Sequence, residues 1–459
     1  MDKKTIDPES ELIRICRRSV ATSIVLRARF TLLDWMGCVI AARHTPVAQA
    51  MARARGVIDN NLLHMGLISS KVDPQSAALA LGTLGNVLEM DDLHRASILH
   101  PGDATCAAAC AVALRQPTSG AALLSALARG YEAAIRIGKV AATGGYASFY
   151  NSGTCGVFGA AIATADLKCL DSEEMADALG QAGMQAAGIW QCRLEPTFSK
   201  QLACAHAARA GVFSAELAAA GFSGARAILT GNMGFFASYY PRADEGALTA
   251  PGDWAISEMS FKPFAACRHT HPAISAMLEL RQKNLSSAVK CIDVYTYQAA
   301  LDFCDQPAPQ TSEEARFSIQ HAVVMALLKG APTISDFDGP ALNEPAVVFL
   351  RARVHLHVDV AHDDAFPRDY GARLRVTLQD GQMHEAICPT AWGDPENPMS
   401  EADLIAKFRA NAIHGGLAIN AADGIIRAVL DLPDAQDLSA LQTALKIALP
   451  PELEFVSCQ

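Results

Sequence analysis

Apolar residues recur at three- and four-residue spacing through the first half of the chain, from about Ser10 to Gly221. This spacing places apolar side chains on one face of a helix and therefore predicts a succession of α-helices. Ser119 is a plausible cap for one of these helices, because serine is a favoured cap residue. Another helix is predicted to start at Ser172, with Glu173 and Glu174 in its first turn, where acids suit the helix dipole. Gly221 stands where one would end, since glycine commonly follows the last helical turn.

The pattern changes after about Phe261. Residues 291–303 and 346–360 are rich in residues that favour strands, and a helix is predicted between them over 313–330. Alternating apolar positions around Asp380-Gly381 predict a β-hairpin, because Asp-Gly fits a tight two-residue turn.

The helical pattern returns near the end of the chain. We therefore predict a mainly α protein, in which a smaller α+β lid domain is inserted into a large all-helical domain built from both chain ends. The predicted parts are residues 1–269 for the first section of the helical domain, 270–392 for the α+β lid domain and 393–459 for the C-terminal section.

Composition narrows the class of protein. Apolar residues make up 51% of the chain, which is enough to bury a large core. The net charge is −10 and no basic stripe is present, so nucleic acid is not an expected partner. The 13 cysteines are scattered without a CxxC pair and no N-terminal apolar signal is found, which favours a cytoplasmic protein with free thiols. No apolar run approaches the roughly 18 residues of a membrane span, so no membrane partner is expected.

A polar stretch, "LEMDDLHRASILHPGDA", lies between two apolar segments at Leu88–Ala104. One interpretation is an exposed loop with ordinary charges. The other is the wall of a cleft in which Asp91 or Asp92 orients His100 or His94, as a carboxylate orients a histidine base through its other ring nitrogen. The residues show no third ligand at a diagnostic spacing, so we expect no metal here.

A second stretch, "FKPFAACRHTHPAI", precedes a predicted helix whose first turn contains Pro272. Lys262, Arg268, His269 and His271 therefore lie just before a helix N-terminus, where backbone N–H groups and cations together suit a carboxylate. The alternative is that these residues cap the helix or are solvated.

Two further features carry candidate chemistry. The turn "FYNSGT", which contains Tyr150, opens an Ala-rich helix, and Lys200 precedes an apolar helix in a region with few cations. A surface position for Lys200 is the alternative. Nucleophile-elbow, dinucleotide-binding and zinc motifs are all missing, so we expect chemistry that uses ordinary acids and bases.

Taken together, these segments resemble the MmgE/PrpD family, which includes 2-methylcitrate dehydratase, cis-aconitate decarboxylase and iminodisuccinate epimerase. The stretches "GYEAAIRIG", "FSKQLACAHAARAG" and "WGDPENPMS" add to the resemblance, which spans nearly the whole chain. It implies a helical domain, a smaller α+β lid, a cleft between them and a homodimer. It also implies small di- or tricarboxylate substrates and no obligatory metal or organic cofactor.

The residues that match the family pattern supply its acid pair, its His-Pro and its two lysines: Asp91, Asp92, His100, Lys200 and Lys262. Four positions depart from the decarboxylase-like pattern, which has Thr, His, His and Tyr there: Leu93, Tyr150, Cys267 and His321.

Because of these departures we expect an epimerase that removes a proton at the α-carbon of an imino- or amino-dicarboxylate such as iminodisuccinate. The alternatives are a lyase that dehydrates or decarboxylates a citrate- or aconitate-like acid, and a non-catalytic helical binding protein. The expected catalytic residues are His100, Lys200, Asp91, Asp92, Tyr150 and Cys267. The expected substrate-binding residues are Lys262, Arg268, His269, His271 and His321.

Overall fold

The chain divides into two compact units in a computed structural model. The model describes residues 7–56, 62–144, 148–195, 197–283, 285 and 289–449. A helical unit comprises Met1–Val87, Asp91–Met259 and Glu401–Gln459, and a mixed unit comprises Leu88–Met90 and Ser260–Ser400. The mixed unit thus combines one continuous stretch of chain with three residues of the polar loop.

Helices make up the first part of the helical unit, as the periodicity predicts. They are α1 (Pro8–Cys16), α2 (Thr22–Ala41), α3 (Pro46–Ala54), α4 (Leu62–Leu67), α5 (Pro74–Leu84), α6 (Pro101–Ala113), α7 (Gly120–Thr143), α8 (Asn151–Thr154), α9 (Gly156–Leu167), α10 (Ser172–Gly183), α11 (Ser199–Ala219), α12 (Phe235–Tyr239) and α13 (Gly246–Thr249). The Ser119 side chain caps α7 as predicted. Helix α10 begins at Ser172, but its cap is the preceding Asp171, which forms a capping box with Glu174.

Small residues allow the central helices to pack closely. Helix α9 packs against α6, α7 and α11, and every residue of α6 is buried. A Cβ atom added at Gly130 of α7 would lie 2.6 Å from the carbonyl oxygen of Gly159 in α9. The two backbones therefore approach more closely than any larger residue at Gly130 would permit.

The mixed unit combines short helices with one sheet. Its elements are α14 (His271–Arg281), β1 (Val289–Thr296), α15 (Gln298–Cys304), α16 (Ser312–Arg316), α17 (Ile319–Lys329), α18 (Gly339–Leu342), α19 (Pro345–Arg351), β2 (Val354–Val358), α20 (Val360–Ala365), β3 (Ala372–Leu378) and β4 (Met383–Cys388). The strand order is β2-β1-β3-β4, with β1 and β2 parallel and the other pairs antiparallel. Helix α14 packs on β3 and β4.

The hairpin prediction around Asp380-Gly381 is confirmed, because β3 and β4 pair on either side of that turn. Two strand predictions were too long. The second half of 291–303 forms α15, and the first half of 346–360 forms α19. The predicted helix over 313–330 divides into α16 and α17, because Ser318 caps the second helix by accepting from the N–H of His321.

The chain returns to the helical unit through α21 (Glu401–His414), α22 (Ile419–Leu430) and α23 (Ser439–Ala448). Lys407 of α21 forms a buried ion pair with Asp34 of α2, with Nζ and Oδ1 2.6 Å apart. Helices thus dominate, with one small sheet, and the predicted fold class is confirmed. Among the described helices, none has both the length and the apolar composition needed to cross a membrane.

Candidate active site

The polar loop that precedes α6 is folded by its own hydrogen bonds. The backbones of His94 and Leu99 exchange hydrogen bonds of 2.8 and 3.3 Å. The His94 ring contacts Ser97 Oγ at 2.8 Å and Glu258 Oε2 at 2.9 Å, so both ring nitrogens have partners. Burial lowers the pKa of His94. His94 is one of the two histidines considered as partners for the acid pair. Its ring contacts instead hold the loop together.

His100 has a different environment at the start of α6. Its Nδ1 lies 2.7 Å from Asp91 Oδ2 and 2.7 Å from the carbonyl oxygen of Asp92. Both neighbours are acceptors, so the proton of a neutral His100 ring resides on Nδ1 and Nε2 carries the lone pair. The side chain is 14% exposed. This is the arrangement of a histidine prepared for proton transfer through Nε2.

The Asp92 carboxyl faces away from the His100 ring. Its Oδ2 accepts a 2.7 Å hydrogen bond from the Tyr131 hydroxyl, and its Oδ1 accepts from the Gly102 N–H at 3.2 Å. Burial raises the pKa of Asp92 to about 7, opposed by the Tyr131 hydrogen bond. A Cβ atom at position 102 would lie 2.8 Å from Asp92 Oδ1, so the contact requires glycine.

Tyr150 lies at the start of α8 and is fully buried. Its ring stacks on Trp190 at a centroid distance of 4.3 Å, and its hydroxyl accepts from Asn86 Nδ2 at 3.3 Å. The ammonium of Lys200 lies 5.9 Å from the Tyr150 ring centroid. Burial raises the pKa of Tyr150 well above its ordinary value, so this phenol retains its proton.

Electrostatic coupling links these residues into one neighbourhood. Burial is the main reason that the pKa of Cys204 is raised, and the charges of Asp103, Lys200 and Asp91 also act on this thiol. The helical unit thus brings together five predicted residues: Asp91, Asp92, His100, Tyr150 and Lys200. Tyr131 joins them, and we call these six residues the proton-transfer cluster.

Lys262 and Glu89 form a buried pair in the mixed unit. Lys262 Nζ lies 3.7 Å from Glu89 Oε2, and the two side chains are 1% and 6% exposed. Glu89 has φ of 54°, in the left-handed region that non-glycine residues rarely adopt. Glu89, which carries this carboxylate, therefore has a backbone conformation that costs free energy and that the surrounding structure must stabilise.

Cys267 is buried beside a second thiol. A hydrogen bond from Cys304 lowers the pKa of Cys267, against the opposing effect of burial. The charge of Lys262 also lowers it and that of Glu89 raises it, which places all three residues in one electrostatic neighbourhood. The Cys267 N–H donates to the carbonyl oxygen of Arg316 at 2.8 Å.

Arg268 and His271 have extensive protein contacts. The Arg268 guanidinium forms an ion pair with Asp394 and donates to the carbonyl oxygens of Trp392 at 3.1 Å and Ala391 at 3.3 Å. His271 Nε2 donates to the Ala266 carbonyl at 3.0 Å, and its Nδ1 faces Arg268 at 3.3 Å. These contacts give both residues a structural task within the mixed unit.

The remaining two predicted residues have different surroundings. His269 Nδ1 contacts the Tyr297 hydroxyl at 2.7 Å, and its ring stacks on Tyr370 at 5.3 Å. His321 Nε2 donates to the Asp336 carbonyl at 2.8 Å, and burial lowers the pKa of His321 to about 4. His321 is therefore neutral near pH 7 and cannot balance a carboxylate charge there.

Sequence reasoning missed Tyr131, Trp190, Glu89, Cys304 and Arg316. A tyrosine or cysteine within an apolar helical pattern is indistinguishable from an ordinary core residue, so no chemical signal marked Cys304. Tyr131 lies in the stretch "GYEAAIRIG" that carries the family resemblance, but that resemblance assigned it no role. Glu89 belongs to the polar stretch but precedes the acid pair, and Arg316 was part of a predicted amphipathic helix. Among the described residues, no group of three or more His, Cys, Asp or Glu side chains is arranged to hold a metal ion.

The helical unit carries the buried acid–base groups, and the mixed unit carries the buried cations. The sequence identifies the family. Residues 14–246 match the MmgE/PrpD N-terminal domain and residues 264–432 match the MmgE/PrpD C-terminal domain. The chain belongs to the MmgE/PrpD family.

Curated relatives are similar over most of their length. Cis-aconitate decarboxylase of Homo sapiens is 28% identical, and the alignment covers 94% of this chain and 92% of the relative. Cis-aconitate decarboxylase of Aspergillus terreus is 24% identical over 86% of both chains. The 2-methylcitrate dehydratase of Cupriavidus necator is 24% identical, with 84% and 85% covered. These relatives are lyases by name.

Proposed function

We propose that this protein is a lyase that acts on a small citrate- or aconitate-like polycarboxylate, with decarboxylation as its first candidate reaction. The observation that carries the proposal is the contact between His100 and Asp91. It prepares one ring nitrogen of His100 to exchange a proton while a carboxylate stabilises the imidazolium. The full-length similarity to two cis-aconitate decarboxylases supports this choice of reaction.

Decarboxylation of a β,γ-unsaturated acid needs one proton donor. The bond between the carboxylate carbon and the chain breaks, its electron pair enters the allylic system, and CO2 leaves. Protonated His100 then delivers a proton from Nε2 to carbon, and Asp91 stabilises the positive charge that the ring carries before this step. Cations that neutralise the remaining carboxylates reduce charge repulsion in the bound substrate.

The epimerase that we expected from the four departures receives less support. An epimerase needs an acid and a base on opposite faces of one carbon. Tyr150, which stands at one of the changed positions, is stacked, hydrogen-bonded and held in its protonated form. The named relatives also catalyse bond cleavage rather than epimerisation.

A substrate panel tests the proposal. Purified protein is incubated with cis-aconitate, citrate, 2-methylcitrate and aspartate-derived dicarboxylates, while CO2 release and product NMR spectra are recorded. We expect CO2 from cis-aconitate or a close analogue. An alkene formed from a hydroxy acid without CO2 would identify a dehydratase and overturn the choice of decarboxylation. Configurational change without loss of mass would identify an epimerase and contradict the lyase assignment.

We also propose that the protein forms a homodimer through an apolar surface of the helical unit. Large apolar side chains are exposed at Met184 (75%), Ile189 (74%), Leu194 (74%), Leu202 (53%) and Met233 (92%). Exposed apolar side chains of this size favour a protein–protein interface. Light scattering should give twice the chain mass, and Leu202→Glu should lower it to one chain mass. A wild-type monomer would contradict this proposal.

A further inference from the structure

Arg316 is a buried cation with few contacts to its guanidinium. The residue ends α16 and is 4% exposed. Its Nη2 donates to Asp338 Oδ1 at 3.3 Å, and its Nε has no hydrogen-bond partner among the described residues. An arginine presents five N–H donors in a rigid plane, so much of the hydrogen-bonding capacity of Arg316 is unused.

Asp338, the ion-pair partner of Arg316, neutralises the guanidinium charge only in part. The Asp338 side chain is 39% exposed, and water screens the attraction between it and the buried guanidinium. Arg268 in the same unit provides the contrast. Its guanidinium has a buried carboxylate partner, Asp394, and two backbone carbonyls. Among the described residues, the Nε of each arginine lacks a hydrogen-bond partner. The terminal nitrogens of Arg268 contact a buried carboxylate and two carbonyls, whereas those of Arg316 contact one partly exposed carboxylate.

Arg316 also belongs to the neighbourhood of Lys262 and Cys267. Its carbonyl oxygen accepts the Cys267 N–H, and the charge of Glu89 acts on its guanidinium as it acts on Lys262. Two buried cations, Lys262 and Arg316, therefore lie in the electrostatic neighbourhood of the buried Glu89. We call these three residues the cation cluster. A buried cation is costly unless an anion balances it, and the Asp338 carboxylate that contacts Arg316 is partly exposed.

We propose that Arg316 binds a carboxylate of the polycarboxylate substrate and takes the role that the sequence assigned to Arg268. The planar fork of arginine matches a carboxylate in a two-bond geometry, which the point charge of a lysine cannot reproduce. The cation cluster is thereby a specificity element for anionic ligands. This inference rests on the proposed function for the identity of the ligand.

Binding of tricarballylate, a saturated tricarboxylate that cannot lose CO2 by the proposed route, tests the inference without turnover. Titration calorimetry is performed on the full chain and on Arg316→Gln, Arg316→Lys, Asp338→Asn and Arg351→Gln. Arg351 is the matched control because it is 6% exposed and donates to the Leu342 carbonyl at 3.4 Å.

We expect Arg316→Gln to raise the Kd for tricarballylate by about 10- to 100-fold, the loss associated with a charge-assisted hydrogen bond. Arg316→Lys should give an intermediate value, and Arg351→Gln and Asp338→Asn should remain within about threefold of wild type. Arg316→Gln should raise KM for the substrate more than it lowers kcat.

The inference is overturned if wild-type protein does not bind tricarballylate, or if Arg316→Gln binds it as wild type does. Equal losses in Arg316→Gln and Asp338→Asn would also overturn it, because they would show that the pair is structural. If Arg316→Gln does not fold, the comparison of Arg316→Lys with Asp338→Asn decides. Binding that follows these expectations, without turnover of any tested acid, would contradict the proposed function and leave the inference standing.

Discussion

The proton-transfer cluster and the cation cluster use buried charge in opposite ways. In the helical unit, four buried aspartates are at most 3% exposed, Asp34, Asp91, Asp92 and Asp103, and Lys407 lies 2.6 Å from Asp34 Oδ1. Burial, and to a smaller extent the charges of Asp34 and Asp91, raise the pKa of Asp92 to about 7. In the mixed unit, two buried cations, Lys262 and Arg316, lie within the electrostatic reach of the buried Glu89.

This difference indicates a division of tasks. A buried carboxyl group such as Asp92, whose pKa is about 7, exchanges protons near neutral pH. Buried cations stabilise anionic groups that bind without changing their protonation. The comparison therefore predicts that substitutions in the helical unit alter kcat and pH dependence, whereas those in the mixed unit alter KM and Kd.

The largest effect is expected from His100→Ala. Loss of the proton-transfer group should reduce kcat by about 10²- to 10⁴-fold, as is usual for a general acid or base. Steady-state kinetics measures this, and urea unfolding should show a stability change within about 1 kcal/mol. His206→Asn in α11 is the matched control and should retain activity. A His100→Ala variant with normal kcat would exclude His100 from the reaction.

The next effect is expected from Lys262→Met. Removing this ammonium takes one cation away from the buried Glu89 carboxylate and should lower the free energy of unfolding by about 3 kcal/mol. The double variant Lys262→Met/Glu89→Gln should recover most of that loss, because both charges are then absent. Both variants should bind tricarballylate weakly. If the double variant is no more stable than the single one, the pair is not electrostatically coupled.

A smaller effect is expected on the pH dependence of the free energy of unfolding, and it comes from Asp92. Its pKa of about 7 in the folded protein exceeds the unfolded value near 3.9. Between these values the folded state binds more protons, so Asp92 makes the protein less stable as pH rises from about 4 to 7. Urea unfolding at several pH values should show that Asp92→Asn removes most of this decline. Parallel pH profiles for the two proteins would contradict the assignment.

The smallest effect is expected from Tyr131→Phe. This change removes the 2.7 Å hydrogen bond to Asp92 Oδ2 and should cost about 1 kcal/mol of stability. Because that bond lowers the pKa of Asp92, its loss should shift the pH profile of stability to higher pH. Tyr240→Phe, which removes a hydroxyl bonded to Asn151 at 3.0 Å, is the control and should leave the profile in place.

The sequence predicted the fold class because helical and strand periodicities differ strongly, and the Asp380-Gly381 turn fixed one hairpin. It failed over 298–303 and 346–351, where residues that favour strands form parts of α15 and α19. Local preference is a weak guide there, because packing with neighbouring elements overrides it: α15 packs on β2, and α19 packs on α17.

The candidate site was only partly predictable for a related reason. Polar residues that interrupt apolar sequence are visible in the sequence, which is how Asp91, His100 and Lys262 were selected. Their partners are not visible. Arg268 pairs with Asp394, 126 positions later, and Arg316 retains an unused donor. Both features depend on tertiary packing, which no spacing rule in the sequence predicts.

The most direct test of the central claim is the deuterium content of the product formed in D2O by wild-type protein and by His100→Ala. The account predicts one deuterium bound to carbon for each CO2 that wild-type protein releases from a cis-aconitate-like acid. It also predicts that both signals fall together by at least about 10²-fold in His100→Ala. Deuterium that enters recovered starting acid without CO2 release, or undiminished product labelling in His100→Ala, would contradict the proposed lyase mechanism.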